Sequence, residues 1–307
     1  MKLLSVLVAT FAIIPMAQAE ITRHGGSNEA LPDKKYIHVV SEKDSPVMQT
    51  WIKAKDGLYI AAAIRVPKGK GAYPAIVMFH GAPGGRGMEQ LVGWSRGDHG
   101  GPVWERFLQE GYVVVVADYR GGDWNQMNRP STSGLATAID DGVAVIEHVQ
   151  NLPYVKRSEV SVYGVSLGGN LAMFMASRVP SLHKVVLGAP APIWFLGYDI
   201  GPNGQRPDFS MAPPNVEYAK ENIAPIQAPL LILVGTEDRL LTLDTRLHEE
   251  LVKHGKNVRM EVYEHGYHDF VLGNQGQKRG DLPRGEILLP GAIEALELTV
   301  KFVKAPR

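Results

Sequence analysis

The sequence predicts an α/β fold, a mostly parallel β-sheet with helices on both faces. Three observations carry this expectation. Short, continuous apolar runs recur at 74–80, 112–118, 160–163, 184–187 and 229–234. Runs of that length read as strands buried on both faces of a parallel sheet. Stretches with helical spacing lie between them, and strands that alternate with helices imply right-handed crossovers. Finally, one apolar strand runs through a glycine-flanked turn directly into an apolar helix, at 160–172.

The elements follow in chain order. Residues 1–19 open on Met1-Lys2, continue with an apolar stretch of about a dozen residues, and end on Ala17-Gln18-Ala19. That is the layout of a secretory signal cleaved after Ala19, too short for a span that needs roughly 20 apolar residues. The expected location is therefore secreted or periplasmic. Residues 20–47 are polar and turn-rich and read as an N-terminal arm. The runs 48–53 and 58–65 flank Asp56-Gly57, a hairpin signal. The strand at 74–80 leads into a glycine-rich loop over 80–87, and 88–104 reads as a further loop. Helical patterns cover 104–110, 135–151, 170–178, 243–254 and 292–303, and 258–263 alternates like a last strand. The stretch 190–226 is rich in proline and aromatic residues and reads as an insertion lying over the sheet edge. No linker divides 48–307, which is expected to be one catalytic domain. No later stretch of the mature chain is long and apolar enough to span a membrane.

Composition excludes several classes. The 307 residues contain no cysteine, so there is no disulfide framework, thiolate nucleophile or Cys-ligated metal site. Thirty-two basic residues balance 32 acidic ones. Without a clustered positive face, a nucleic-acid partner is not expected. The 33 glycines and 21 prolines point to many tight turns.

The turn Gly164-Val165-Ser166-Leu167-Gly168 places a serine at the tip of a sharp strand-to-helix bend. There its hydroxyl projects from the sheet as a nucleophile, and the Leu167 N–H at the helix start can bind an oxyanion. The alternative is an ordinary glycine-rich turn with a capping serine. The acid and the base are expected in the order Ser, acid, His. Asp238, in Gly235-Thr236-Glu237-Asp238, follows a buried strand at the edge where open α/β sheets bind ligands, and is preferred to Glu237. His268 lies in the loop after the last strand and can reach back to Ser166, with His265 as a decoy. His248 and His254, on a polar helical stretch, read as surface residues. The second oxyanion donor is expected from the glycine-rich loop, at Ala82, because Pro83 has no N–H. His80 reads as a structural residue of that loop, and Asp118 and Arg120 as residues that pair with neighbours. Trp194, Phe195 and Tyr198, with the loop over 88–104, are expected to wall the substrate pocket. His265-x-x-His268-Asp269 has no companion cluster, so neither a metal nor another cofactor is expected.

These pieces together resemble the α/β-hydrolase superfamily. More narrowly the chain is similar to the catalytic domain of the prolyl oligopeptidase family and to dienelactone hydrolase-like esterases. The matching pieces are His80-Gly81-Ala82-Pro83-Gly84-Gly85, Asp118-Tyr119-Arg120-Gly121, Gly164-Val165-Ser166-Leu167-Gly168-Gly169, Gly235-Thr236-Glu237-Asp238 and His268-Asp269-Phe270. The resemblance covers roughly 48–305 and implies a Ser166–His268–Asp238 triad. Only a short stretch precedes Met48, where the peptidases carry a gating propeller, and Pro83 replaces the third glycine of the His-Gly-Gly-Gly esterases. The expected activity is hydrolysis of small or medium carboxylic esters through an acyl-enzyme. Peptidase action on short peptides, and an inactive hydrolase fold used for binding, remain the alternatives.

Overall fold

The computed structural model describes residues 21–25, 35–36, 40–41, 43–96, 101–121, 134–198, 200, 205–272, 286–287 and 290–307. The signal expected over 1–19 lies outside the described residues. In chain order the strands are β1 (Ile21–His24), β2 (Lys35–Tyr36), β3 (Val47–Lys53), β4 (Tyr59–Arg65), β5 (Tyr73–Phe79), β6 (Val113–Ala117), β7 (Val155–Val165), β8 (Val185–Gly188), β9 (Leu230–Gly235), β10 (Val258–Tyr263) and β11 (Glu286–Ile287). The helices are α1 (Met88–Ser95), α2 (Gly101–Gln109), α3 (Leu135–Gln150), α4 (Leu167–Arg178), α5 (Val216–Ile223), α6 (Leu241–Lys253) and α7 (Pro290–Lys304).

Nine strands form one sheet in the order β1-β10-β9-β8-β7-β5-β6-β4-β3. Pairing is parallel except where β4 meets β3 and β6. The central strands are apolar on both sides because helices cover both faces. Successive side chains of a strand point to opposite faces, and the core divides accordingly. Ala75, Val77 and Phe79 of β5 join the layer beneath α3, α4 and α6, whereas Ile76 and Met78 join the layer beneath α1, α2 and α7. The parallel strands end at one edge, which receives the loops carrying residues 80–87, Ser166, Asp238 and His268.

Three expectations are corrected. The arm expected over 20–47 contains a strand of the main sheet. Ile21–His24 pairs in parallel with Met260–Tyr263. The His24 ring stacks on Tyr263, with centroids 4.4 Å apart, and its Nε2 meets the buried Glu261 carboxylate. The loop expected from 88 includes helix α1, which packs Leu91 and Val92 inward. The stretch from 190 does not simply lie over the sheet edge. Residues 191–198 are mostly buried turns in the core, and α5 follows.

Candidate active site

Ser166 sits between the last residue of β7 and the first of α4, at φ 54° and ψ −118°. A non-glycine residue in that region is strained, and such strain is held only where the surroundings over-determine it. Here they do. The Ser166 N–H donates to the Gly188 carbonyl at 3.1 Å, and its own carbonyl accepts from Gly169, Asn170 and Ala191. The flanking glycines are required sterically. A Cβ on Gly164 would lie 2.2 Å from the Gly168 carbonyl oxygen, and one on Gly168 would lie 2.1 Å from that of Phe79.

The Ser166 Oγ lies 2.9 Å from His268 Nε2, and His268 Nδ1 lies 2.9 Å from Asp238 Oδ2. The Asp238 side chain is fully buried, and its other oxygen accepts the Leu240 N–H at 2.9 Å. The imidazole keeps about a third of its surface exposed, with its outer nitrogen on the serine. An acceptor behind Nδ1 fixes the tautomer in which Nε2 is free to accept the hydroxyl proton. Glu237 is exposed, 4.0 Å from the half-buried His265, and away from this line.

The loop over 81–87 is held by the buried Asp118. Its carboxylate accepts the N–H groups of Gly85, Gly87 and Tyr119 at 2.9, 2.9 and 2.8 Å and faces His80 Nε2 at 3.1 Å. Burial opposes ionisation of Asp118, but His80 and the backbone donors outweigh it, so the carboxyl lies below its ordinary value. His80 stacks on Tyr119, whose hydroxyl donates to the His80 carbonyl. This assembly presents Ala82 beside Ser166, while Leu167 supplies the first N–H of α4, which by position has no intrahelical acceptor. Arg120 pairs with Asp141 and Asp56, outside this cavity.

A cavity of about 220 Å³ opens at Ser166 and His268. Met78, Trp94, Val165 and Leu272 form its apolar wall, Arg86 and Arg239 bring positive charge to it, and Asp269 brings a carboxylate. Arg86 lies over the Trp94 ring, 5.8 Å from the centroid, and donates to the Ala82 and Pro83 carbonyls. Arg239 is exposed and pairs with no carboxylate among the described residues.

Two groups fall elsewhere than the sequence suggests. Trp194, Phe195 and Tyr198 are buried core residues, at most 6% exposed, and none of them lines this cavity. Phe195 packs edge-on against Phe174 of α4, and its N–H donates to Asn170 Oδ1. His248 is also buried, at 4%, because α6 turns the face carrying Leu243, Asp244, Leu247, His248 and Leu251 inward. Trp94, within the stretch 88–104 expected to wall the pocket, lines the cavity. Sequence reading did not single out Arg86, Arg239, Met78, Leu272 or Asp269 as cavity residues.

Residues 60–280 match the dienelactone hydrolase family. The chain is 29% identical over 119 residues to the quorum-quenching protein AidA of Acinetobacter baumannii, a match spanning 39% of this chain and 36% of that protein. Among solved structures it is similar to the dipeptidyl peptidase 4 of Porphyromonas gingivalis (TM-score 0.62, 21% identity, covering 86% of this chain and 36% of that one). It is also similar to a hyperthermophilic esterase of Pyrobaculum calidifontis (TM-score 0.58, 20% identity, 84% and 85%). At these identities the structural likeness is one of fold, and it is the fold expected from the sequence.

Proposed function

As the chain belongs to the dienelactone hydrolase family, we propose that it is a serine hydrolase that cleaves carboxylic esters through an acyl-enzyme. The observation that carries this reading is the unbroken line of hydrogen bonds from Ser166 Oγ through His268 to the buried Asp238.

In this reading Ser166 Oγ attacks the ester carbonyl carbon while His268 Nε2 takes the hydroxyl proton. The carbonyl oxygen becomes an oxyanion between the N–H groups of Leu167 and Ala82. Such donors stabilise charge that exists only in the transition state and intermediate, and one of them is worth about 10²–10³ in rate in a comparable hydrolase. The intermediate collapses as His268 returns the proton to the departing alkoxide, which leaves as the alcohol. A water molecule then attacks the acyl carbon and gives its proton to His268. The second intermediate expels Ser166 Oγ, which recovers that proton, and the free acid departs. Asp238 accepts the Nδ1 hydrogen throughout and stabilises the imidazole while it carries the extra proton.

The cavity volume favours a small or medium ester, and the two arginines favour one with an anionic group near the scissile bond. A short peptide or amide is the competing substrate class. Labelling with a fluorophosphonate probe tests the nucleophile, and the Ser166→Ala variant must lose the label. A panel of short p-nitrophenyl esters against aminoacyl and prolyl p-nitroanilides separates the substrate classes. Absence of labelling, or equal labelling of the variant, overturns the proposal. We further propose secretion directed by residues 1–19, tested by N-terminal sequencing of the exported protein.

A further inference from the structure

Asp238 and His268 lie on different loops, and the distance between their side chains is set by how those loops are joined. Four hydrogen bonds join them. The Thr236 N–H donates to the Tyr263 carbonyl at 2.9 Å, and the His265 N–H donates to Thr236 Oγ1 at 2.9 Å. The Glu237 N–H donates to the Gly266 carbonyl at 3.0 Å. The hydroxyl of Thr236 also reaches Glu264 Oε2 at 3.4 Å. The backbones touch directly at this point. A Cβ on Gly235 would lie 1.9 Å from the Gly266 carbonyl oxygen, so only glycine permits the approach.

The clip lies two residues from each reacting side chain, since Asp238 follows Thr236 by two positions and His268 follows Gly266 by two. Each loop has a second anchor beyond. Leu241 N–H donates to the Asp238 carbonyl at 3.1 Å, and Phe270 N–H donates to that of Tyr267 at 3.1 Å, ahead of buried Phe270, Val271 and Leu272. Asp238 and His268 therefore hang between fixed points, and among the described residues Thr236 is the one side chain that bonds from the first loop into the backbone of the second.

We infer that Thr236 is a positioning residue that aligns Asp238 with His268 by clipping the acid-bearing loop to the histidine-bearing loop. The inference rests on the serine-hydrolase reading, and it adds a residue that touches neither substrate nor Ser166. His265, strained at φ 59°, acquires a role through it, because its N–H is the group the hydroxyl holds.

Thr236→Val keeps the branched shape and removes the hydroxyl, and Thr236→Ser keeps the hydroxyl and removes the methyl. With p-nitrophenyl acetate, Thr236→Val is expected to lower kcat about 10- to 100-fold, the scale of a misplacement approaching 1 Å, with KM within about twofold. Looser support from Asp238 makes protonated His268 less stable, so the acidic limb of kcat/KM moves to lower pH. The low-field proton resonance of the Asp238–His268 hydrogen bond shifts or broadens in the resting protein, a readout that needs no turnover. Thr236→Ser restores rate, pH profile and resonance. A valine variant with the wild-type kcat, limb and resonance overturns the inference, and so does a serine variant as impaired as the valine one. If wild-type protein neither labels nor turns over esters, the serine-hydrolase reading falls, and the resonance of the valine variant against wild type still decides the clip.

Discussion

Replacing Asp118 by asparagine separates the part of this site that builds the fold from the part that would build the proposed oxyanion pocket. The side chain keeps its size, but one of its oxygens becomes an N–H₂ group. In the wild type Oδ1 accepts the Gly85 and Tyr119 N–H groups, and Oδ2 accepts that of Gly87 at 2.9 Å. Hydrogen bonds to a charged group are worth about 1.5–3 kcal/mol each, so the Gly85 and Gly87 contacts together hold the loop by about 3–6 kcal/mol. Asparagine removes the charge from both and sets a donor against the Gly87 N–H. A loss of about 2–3 kcal/mol is expected, which lowers Tm by roughly 3–5 °C in a chain of 307 residues. The loop carries Ala82, so kcat should fall about 10- to 100-fold, short of the 10²–10³ for outright loss of an oxyanion donor. KM should change little, because the donor acts on charge absent from the ground state. The wild-type carboxyl is depressed in the folded state. Its stabilisation is therefore present above the unfolded value of about 3.9 and is lost as pH falls through the folded value, whereas the variant lacks that component. Initial rates on p-nitrophenyl acetate, the rate of fluorophosphonate labelling and a series of melts from pH 7 down to well below the unfolded carboxyl value of about 3.9 measure all of this. A variant that melts earlier yet keeps the wild-type kcat would refute the claim that Asp118 holds the oxyanion loop.

Three further substitutions test neighbouring statements. Gly168→Ala puts a Cβ 2.1 Å from the Phe79 carbonyl oxygen, so the elbow cannot close and labelling should be lost together with several degrees of Tm; a labelled, normally stable variant contradicts the packing described. Phe195→Ala removes a fully buried ring and should cost about 3–5 kcal/mol by denaturant titration with KM unaltered, whereas a raised KM at unaltered stability would restore Phe195 to the substrate pocket. Arg239→Ala should raise KM about tenfold, about 1.4 kcal/mol, for an anionic half-ester of a dicarboxylic acid and leave a neutral ester unaffected. Equal effects on both esters would remove Arg239 from substrate recognition.

Much of the fold was legible because it depends on local pattern. Strands β5, β6 and β9 are short apolar runs between turn residues, and the bend from β7 into α4 announces itself through Gly164 and Gly168. Asp238 and His268 were legible for a related reason, since each follows a strand end and the strand ends share an edge. What escaped depends on contacts distant in sequence. Four residues of β1 carry too little apolar character to mark a strand, and their pairing with β10 gains from the His24 contacts with Tyr263 and Glu261. His248 looked like a surface residue because hydrophobicity marks only part of a buried helix face, and here that face also includes Asp244. Thr236 stands inside a motif already singled out, yet its hydroxyl acquires meaning only where the loop over 263–266 passes it.

The displacement of Trp194, Phe195 and Tyr198 from the pocket has a single geometric origin. Side chains alternate across a sheet, so Val165, one residue before Ser166, faces the layer of α1, α2 and α7, as Met78 does on the neighbouring strand. The cavity opens on that side, closed by Trp94 of α1 and by Leu272 after the histidine loop. The chain leaving β8 crosses to the other side, where Ala191 N–H ties it to the Ser166 carbonyl and Phe195 meets Phe174 of α4. Its aromatic residues thus support the elbow from behind, on the side opposite the cavity. In a chain of zero net charge, this cavity is lined by two arginines and the carboxylate of Asp269. Buried carboxylates such as Glu105 and Asp141 face arginines within the protein, but Arg239 reaches the cavity with no such partner among the described residues. For the ester proposed above, charges lining the cavity act at a range where screening, over about 8 Å at physiological ionic strength, leaves them effective, so local sign governs selection there even though the net sum offers no long-range steering.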